Sequence, residues 1–170
     1  MKPILTIGHS NHPLPDFLEM LARANVTAVA DIRSQPVSRW APQFSKEALI
    51  STLEGVGLPY LFMGRELGGR PREESLLTNG KPDYAKMSRT SSFKDGIKAL
   101  LKESAEHRMA VMCAERDPLN CHRFLLVGRH LAARGIEVAH ILADGSIESH
   151  TDGELRLMGR EPQADLFRKA

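Results

Sequence analysis

Apolar residues along the chain fall into two patterns that take turns. "PILTIGHS" (3–10) opens with a short unbroken apolar run of the kind that makes a buried strand, and "LPDFLEMLARANV" places Leu14, Phe17, Leu18, Leu21 and Ala22 at helical spacing. The alternation repeats: "VTAVADIRS" reads as a strand, "SKEALISTLEGVG" as a helix with Ser45 at its N-cap and a glycine-rich stop, and "LPYLFM" as a third strand. Further along, the spacing predicts a helix over 92–107, a strand in "RMAVMC", a helix from about Cys121 to Arg134, and a strand in "IEVAHIL" followed by the turn "ADGS". Strands alternating with helices predict a parallel sheet covered on both faces. The expected fold class is α/β: a single-domain, three-layer Rossmann-like fold with a mostly parallel sheet of about five strands. The domain is expected to span 1–170 with a core over about 3–145. Residues 64–82, rich in Gly, Arg and Pro without a period, read as a long loop acting as a functional lid. Residues 146–170 are polar and read as a surface C-terminal segment.

In such sheets, ligands bind beyond the carboxyl ends of the strands, near the point where strand order reverses. The residues just after each predicted strand therefore carry the functional signal. Gly8, His9 and Ser10 succeed the first strand, and the second ends in Asp31 and Arg33. Gly64, Arg65 and Glu66 come after the third, Cys113, Glu115 and Arg116 after the fourth, and Asp144 and Gly145 after the fifth. Every predicted strand thus delivers polar or reactive groups to one rim.

Composition narrows the choice of partners. With 170 residues, 42% of them hydrophobic, the chain can bury a real core. A formal net charge of +2 is too mild to indicate a nucleic-acid binder by itself and suits a small anionic ligand. No apolar stretch approaches the roughly 20 residues that span a bilayer, and the opening "MKPILTIGHSNHP" lacks a signal-peptide core, so a cytoplasmic location and no membrane partner are expected. The two cysteines are then expected to be reduced thiols rather than a disulfide. Neither G-x-G-x-x-G nor G-x-x-x-x-G-K-[ST] occurs, which removes support for classical dinucleotide or P-loop binding; no cofactor is expected.

Both cysteines fall within "VMCAERDPLNCHRFLLV" (111–127). The helix predicted to start near Cys121 offers unpaired N–H groups and a partial positive charge, and His122 and Arg123 beside it complete an anion site. A thiol there is more acidic and more nucleophilic, which favours Cys121, with Cys113 at the strand end as the alternative. The candidate catalytic residues are therefore Cys113, Glu115, Cys121 and His122, with Glu115 and His122 as the acid–base pair. Candidate ligand-binding residues are His9, Ser10, Asp31, Arg33, Ser38, Arg39, Gly68, Gly69 and Arg123. A metal site is not expected. Cys113, Cys121, His122 and His9 are donors that zinc accepts, but C-x7-C is not a zinc-finger spacing and no second cysteine pair exists. The phosphatase-type thiolate loop is also excluded, because no Arg stands about six residues after either cysteine within the loop. A purely structural reading competes at each position: Cys113 as core packing, His122 and Arg123 bracing the loop through Glu115 and Asp117, Asp31 and Arg33 as an ion pair, and His9 in a local turn.

The ordered set "TIGHS", "DIRSQPVSRW", "LPYLFMGRELGG", "MCAERDPLNCHR" and "VAHILADG" resembles the bacterial and archaeal family known as domain of unknown function 488. The resemblance runs from Thr6 to Gly145. It implies a compact α/β domain and supplies no reaction. Its motifs fall on Gly8, His9, Ser10, Asp31, Arg33, Pro36, Ser38, Tyr60, Leu67, Gly68, Gly69, Cys113, Glu115, Pro118, Cys121, His122, Arg123, His140 and Asp144.

Three functions are compatible with these residues. The first is an enzyme or binding domain for a small phosphate-bearing or nucleotide-like ligand at the rim, with Arg33, Arg39 and Arg123 holding anionic groups and the "GRELGGR" loop closing over them. If it is an enzyme, it is a Cys/His/Glu-dependent transferase or hydrolase. The second is a nucleic-acid-binding module, single-strand or repair-associated, presenting Arg33, Arg39, Trp40, Arg65, Arg70 and Arg72 with Trp40 and Tyr60 stacking on bases, although 5% aromatic content is thin for that role. The third is a non-catalytic scaffold. The sequence does not set the oligomeric state.

Overall fold

In the computed structural model, which describes residues 2–159, the strands and helices alternate as the apolar pattern predicts. In chain order they are β1 (Ile4–Gly8), α1 (Leu14–Arg23), β2 (Ala28–Asp31), α2 (Lys46–Gly55), β3 (Tyr60–Phe62), α3 (Gly64–Leu67), β4 (Leu77–Thr78), β5 (Lys81–Pro82), α4 (Tyr84–Met87), α5 (Ser91–Glu106), β6 (Met109–Cys113), α6, β7 (Val138–Ile141), β8 (Ile147–Ser149) and α7 (His150–Gly159). Helix α6 is π-wound over Arg123–Gly128 and α-wound over Arg129–Ala132. No helix among the described residues is long and apolar enough to cross a membrane.

The main sheet runs β3-β2-β6-β1-β7-β8. Its first five strands are parallel, with Ala30 opposite Val111 and Thr6 opposite both Val111 and His140. β8 is the sixth, added antiparallel to β7 with Ile141 facing Ile147, one strand more than expected. It lies in the segment expected to form a surface tail, where three residues with an exposed Ile147 give almost no periodic signal. The remainder of that segment, residues 160–170, lies outside the described residues.

The stretch 64–82 also holds more structure than a loop. Leu67 of α3 is fully buried against Gly96 of α5, and β4 and β5 form a hairpin across Asn79-Gly80, both with positive φ (53° and 73°). Asn-Gly at such a turn is a strong hairpin signal, because both positions need a left-handed backbone.

Alternation along the strands builds one core on each face of the sheet. Met109, Val111 and Cys113 of β6 pack with Phe93, Ile97 and Leu100 of α5 and Val127 and Leu131 of α6. Ala110 and Met112 face the other way, onto Phe17 and Leu21 of α1 and Leu49 and Leu53 of α2. The chain after β2 therefore leaves toward the face covered by α1 and α2, while the chain after β6 leaves toward the face covered by α5 and α6. β2 and β6 are neighbours, so the reversal of strand order opens a crevice between their carboxyl ends.

Candidate functional site

The connection after β6 is held from three sides. His9 N donates to Cys113 O and Ser10 N to Ala114 O, both at 2.9 Å, so the chain after β1 keeps pairing with the chain after β6. Arg123 is completely buried and braces the same loop: Nη1 donates to Glu115 O at 2.6 Å and Nη2 to Arg116 O at 3.2 Å, while Nε has no hydrogen-bond partner. Gly8 permits this approach, because a β-carbon there would overlap the Glu115 carbonyl and crowd the Arg123 guanidinium. Further on, Asp117 caps a short 3-10 turn (Pro118–Asn120) by accepting from Leu119 N at 3.0 Å, and Cys121 follows in extended conformation just before the helix begins. Cys121 is thus the residue before the helix rather than its first turn.

This path brings Cys113, Glu115, Cys121 and His122 together, with one donor atom of each lying within 4.8 Å of all the others. His122 Nε2 donates to Ile32 O at 3.1 Å, so its Nδ1 lone pair faces Cys113 Sγ at 3.7 Å and Cys121 Sγ at 3.8 Å. The ring is fixed from behind by Gly69, where a β-carbon would stand 2.6 Å from His122 Cγ. Cys121 Sγ donates to Glu115 Oε2 at 2.9 Å and accepts from Arg123 N at 3.4 Å.

The electrostatics separate the two thiols. Burial pushes the Cys121 thiol up, but the hydrogen bond from Cys113, the neighbouring His122 and the Arg123 charge outweigh it and lower it to about 6. Cys113 is pushed up, first by its hydrogen bond to Cys121 and then by burial, so of the two sulfurs Cys121 ionises first. Burial raises the Glu115 carboxyl, but bonding from Cys113 and Cys121 reverses this and holds it below the usual carboxylate range. A thiolate and a carboxylate 2.9 Å apart need a proton or a cation between them.

The cluster forms one wall of a cavity of about 330 Å³ in the β2/β6 crevice. Arg33, Ser34, Gln35, Gly69, Arg70, Tyr84, Cys113, Glu115, Asn120 and His122 supply its lining. Of the residues expected at the site, Cys113, Glu115, His122, Arg33 and Gly69 reach this cavity, and Cys121 stands directly behind Glu115. The others have structural partners. Arg33 is itself only 4% exposed: Nε and Nη2 grip Asp31 at 2.9 and 2.6 Å, and Nη1 reaches Phe44 O at 2.8 Å and His9 Nε2 at 3.1 Å. His9 stacks on Phe44 with ring centroids 4.6 Å apart and donates from Nδ1 to Ser10 O, and burial lowers it to about 4. It is therefore turned away from the two sulfurs. Ser38 accepts from Ala41 N and organises the loop before α2, together with Ser45, whose Oγ accepts from Ser38 N instead of capping that helix. Ser10 bonds to Asn11, Gly68 packs on Gly64 and Ser34, and Arg39 is exposed outside the cavity. Tyr60 donates to Asp31 Oδ2 at 2.6 Å and packs, partly buried, against the core on the α1/α2 face.

Sequence reasoning missed Ser34, Gln35, Tyr84 and Asn120 as site residues and gave Arg70 a different role. Arg70 is the informative one. It sits in the "GRELGGR" stretch, its N donates to Ser34 Oγ at 3.0 Å, and its exposed side chain lines the cavity without an ion-pair partner among the described residues. Tyr84 carries no signal in the sequence, because the hairpin that delivers it has only two residues in each strand.

A family model described as Domain of unknown function DUF488 matches residues 13–129. No curated protein and no solved structure matches the chain.

Proposed function

The chain belongs to the DUF488 family, whose description names no reaction, and from its geometry we propose that it is an enzyme or binding domain for a small phosphate-bearing or nucleotide-like molecule held in the β2/β6 crevice. The observation that carries this reading is the cavity of about 330 Å³ lined by cationic Arg33 and Arg70 together with a thiol, an imidazole and a carboxylate. Its volume suits a small molecule, and its position agrees with the rule for ligand sites in open parallel sheets. Arg70 is the anion clamp in this reading, since Arg33 is committed to Asp31 and Arg123 to backbone carbonyls. Gln35 and Asn120 supply neutral donors. Glu115, half-buried at the cavity wall, is the acid–base group, and Cys113, Cys121 and His122 form the reactive side. A transfer or hydrolysis at a phosphate-bearing substrate is the reaction class that such a set serves.

The test is a thermal-shift screen of the reduced protein against phosphate monoesters, nucleotides and short oligonucleotides, repeated with Arg70→Ala. A ligand at about 100 times its dissociation constant stabilises the native state by roughly 2.7 kcal/mol. A shift from a small phosphate compound that is lost in Arg70→Ala supports the reading. Shifts from oligonucleotides alone refute it in favour of nucleic-acid binding, for which the exposed Trp40 beside exposed Arg39 is the one supporting observation.

A further inference from the structure

We propose that Cys113 Sγ, Cys121 Sγ, His122 Nδ1 and the Glu115 carboxylate bind one divalent metal ion of the zinc class, with Glu115 on the side facing the cavity. The ion would sit in the same cleft that holds the phosphate-bearing molecule and would supply the chemistry of its reactive wall; the metal site itself stands on separate observations.

Distance is the first of these. A tetrahedral zinc with Zn–S near 2.3 Å and Zn–N near 2.0–2.1 Å holds its sulfur and nitrogen ligands about 3.6 Å apart. Cys113 Sγ and Cys121 Sγ lie 3.7 and 3.8 Å from His122 Nδ1, with all four donors within 4.8 Å of one another. A hydrogen-bonded packing arrangement does not require three donors to converge on one point, whereas a coordination sphere does.

The support behind the ligands is the second. Metal-binding imidazoles characteristically donate their other N–H to a carbonyl or carboxylate, which fixes ring orientation and tautomer. His122 does this through Nε2 to Ile32 O at 3.1 Å. Ile32 is in turn anchored between Asp31 and Arg33, whose buried ion pair of 2.6 Å closes around it, and Gly69 seats the ring from behind. These contacts aim Nδ1 at the sulfurs before any ion arrives.

Charge is the third observation. The cluster sets two sulfurs and a carboxylate side by side in a mostly buried place, with Cys121 Sγ only 2.9 Å from Glu115 Oε2, and the nearby Arg123 directs Nη1 and Nη2 to the Glu115 and Arg116 carbonyls. A divalent cation offsets most of the negative charge of such a group, and soft sulfur with imidazole selects zinc over magnesium or calcium. Binding expels the protons still held by the thiols to solvent, leaving two thiolates, a neutral imidazole and a carboxylate around the ion. Three of these ligands are buried, while Glu115 is half-exposed on the cavity wall, so its position is the one that an oxygen of a bound molecule can take over. There the ion polarises that oxygen, which gives the cleft its Lewis acid. The C-x7-C spacing that argues against a zinc finger does not count against this site, because the ligands come from a strand end, a loop and a helix start rather than from two knuckles.

The test titrates the 170-residue chain, reduced and stripped with chelator, with Co²⁺ and then Zn²⁺. One Co²⁺ per chain is expected, with the intense visible bands of tetrahedral cobalt and a thiolate-to-cobalt charge-transfer band, all bleached by one equivalent of Zn²⁺. Cys113→Ser and Cys121→Ser should each diminish the charge-transfer band and weaken binding beyond the roughly 10–100-fold that losing a supporting contact costs. Because a buried substitution can disturb folding, Glu115→Gln at the half-exposed position is the second variant: it should keep the charge-transfer band and alter the visible bands. Wild-type protein that is folded by circular dichroism yet shows no stoichiometric cobalt spectrum overturns the proposal, as does a thiolate band that survives in the double Cys113→Ser/Cys121→Ser protein. The phosphate-compound thermal shift, run with and without Zn²⁺, separates the two readings. Metal binding without any ligand shift leaves the metal site and removes the phosphate pocket, and a ligand shift without metal binding does the reverse.

Discussion

Neutralising Asp31 tests how the rim is held. Its carboxylate is fully buried and accepts four hydrogen bonds: Arg33 N at 3.0 Å, Nε at 2.9 Å, Nη2 at 2.6 Å, and Tyr60 Oη at 2.6 Å. Asp31→Asn keeps the shape but offers one acceptor oxygen in place of two and leaves the buried guanidinium without its counter-charge. Breaking a buried pair from one side costs about 3–5 kcal/mol, a large part of the roughly 5–15 kcal/mol that holds a typical domain together. For a chain of this size each kcal/mol moves the midpoint by about 2–4 °C, so Asp31→Asn should lower Tm by about 6–20 °C. Urea denaturation followed by circular dichroism gives the free energy directly. Tyr60→Phe removes a single bond to a charged acceptor and should cost about 1.5–3 kcal/mol. The double variant should cost less than the sum, because the phenol no longer meets a charge. The Ile32 carbonyl that orients His122 lies between the two ionic partners, so the His122 ring resonances should also move in Asp31→Asn while those of His140 stay. A cost below about 1 kcal/mol, or strict additivity with Tyr60→Phe, would refute the claim that this pair fixes the end of β2.

Two further predictions address the site and the core. Gly69→Ala puts a methyl group 2.6 Å from His122 Cγ, so the ring must shift; overpacking of this kind costs about 1–3 kcal/mol, and Co²⁺ affinity should fall, whereas unchanged affinity would show that the ring position does not matter. Burial, then the His150, Arg123 and Arg156 charges, lower His140 to about 3, and it sits neutral between Thr6 Oγ1 and His150 Nδ1. The unfolded histidine binds its proton near 6.5, so this contribution is intact above that pH and is lost as pH falls from 6.5 toward 3, about 2 kcal/mol by pH 5. His140→Phe should flatten the loss of stability between pH 7 and pH 5, and an identical slope in both proteins would contradict the assignment.

How much was legible depended on how many residues an element has in which to repeat its pattern. β1, β2, β6 and β7, and the helices α1, α2 and α5, carry apolar runs or periods and stand where the pattern puts them, and β3, though only three residues, was legible from the mostly apolar "LPYLFM" around it, so the rim and its residues came with them. β8 spans three residues at a sheet edge, and its partner β7 rather than its own composition makes it a strand. At the site, the residue types near Cys113 and Cys121 were readable, but their roles were not. Arg33 and Arg123 look like anion binders in one dimension, and only the fold shows that Asp31 and the carbonyls of Glu115 and Arg116 already occupy them. The convergence of four donor atoms is likewise invisible to spacing rules, because they reach one point from a strand end, a loop and a helix start.

The π-wound stretch of α6 sets a phase between the two ends of that helix. Upstream, His122 joins the cluster; downstream, His130 packs edge-on to Phe93 with ring centroids 5.0 Å apart, and Arg129 bonds Glu154 at 2.6 Å. A π turn behaves as one inserted residue in an α-helix. Deleting any one of Phe124 to Val127 would let the helix wind regularly, yet it would turn one end against the other by about 100°. A shortened chain would then choose between a seated helix and an assembled cluster, so in this helix a one-residue gap between relatives separates chains that share the fold from chains that share the site.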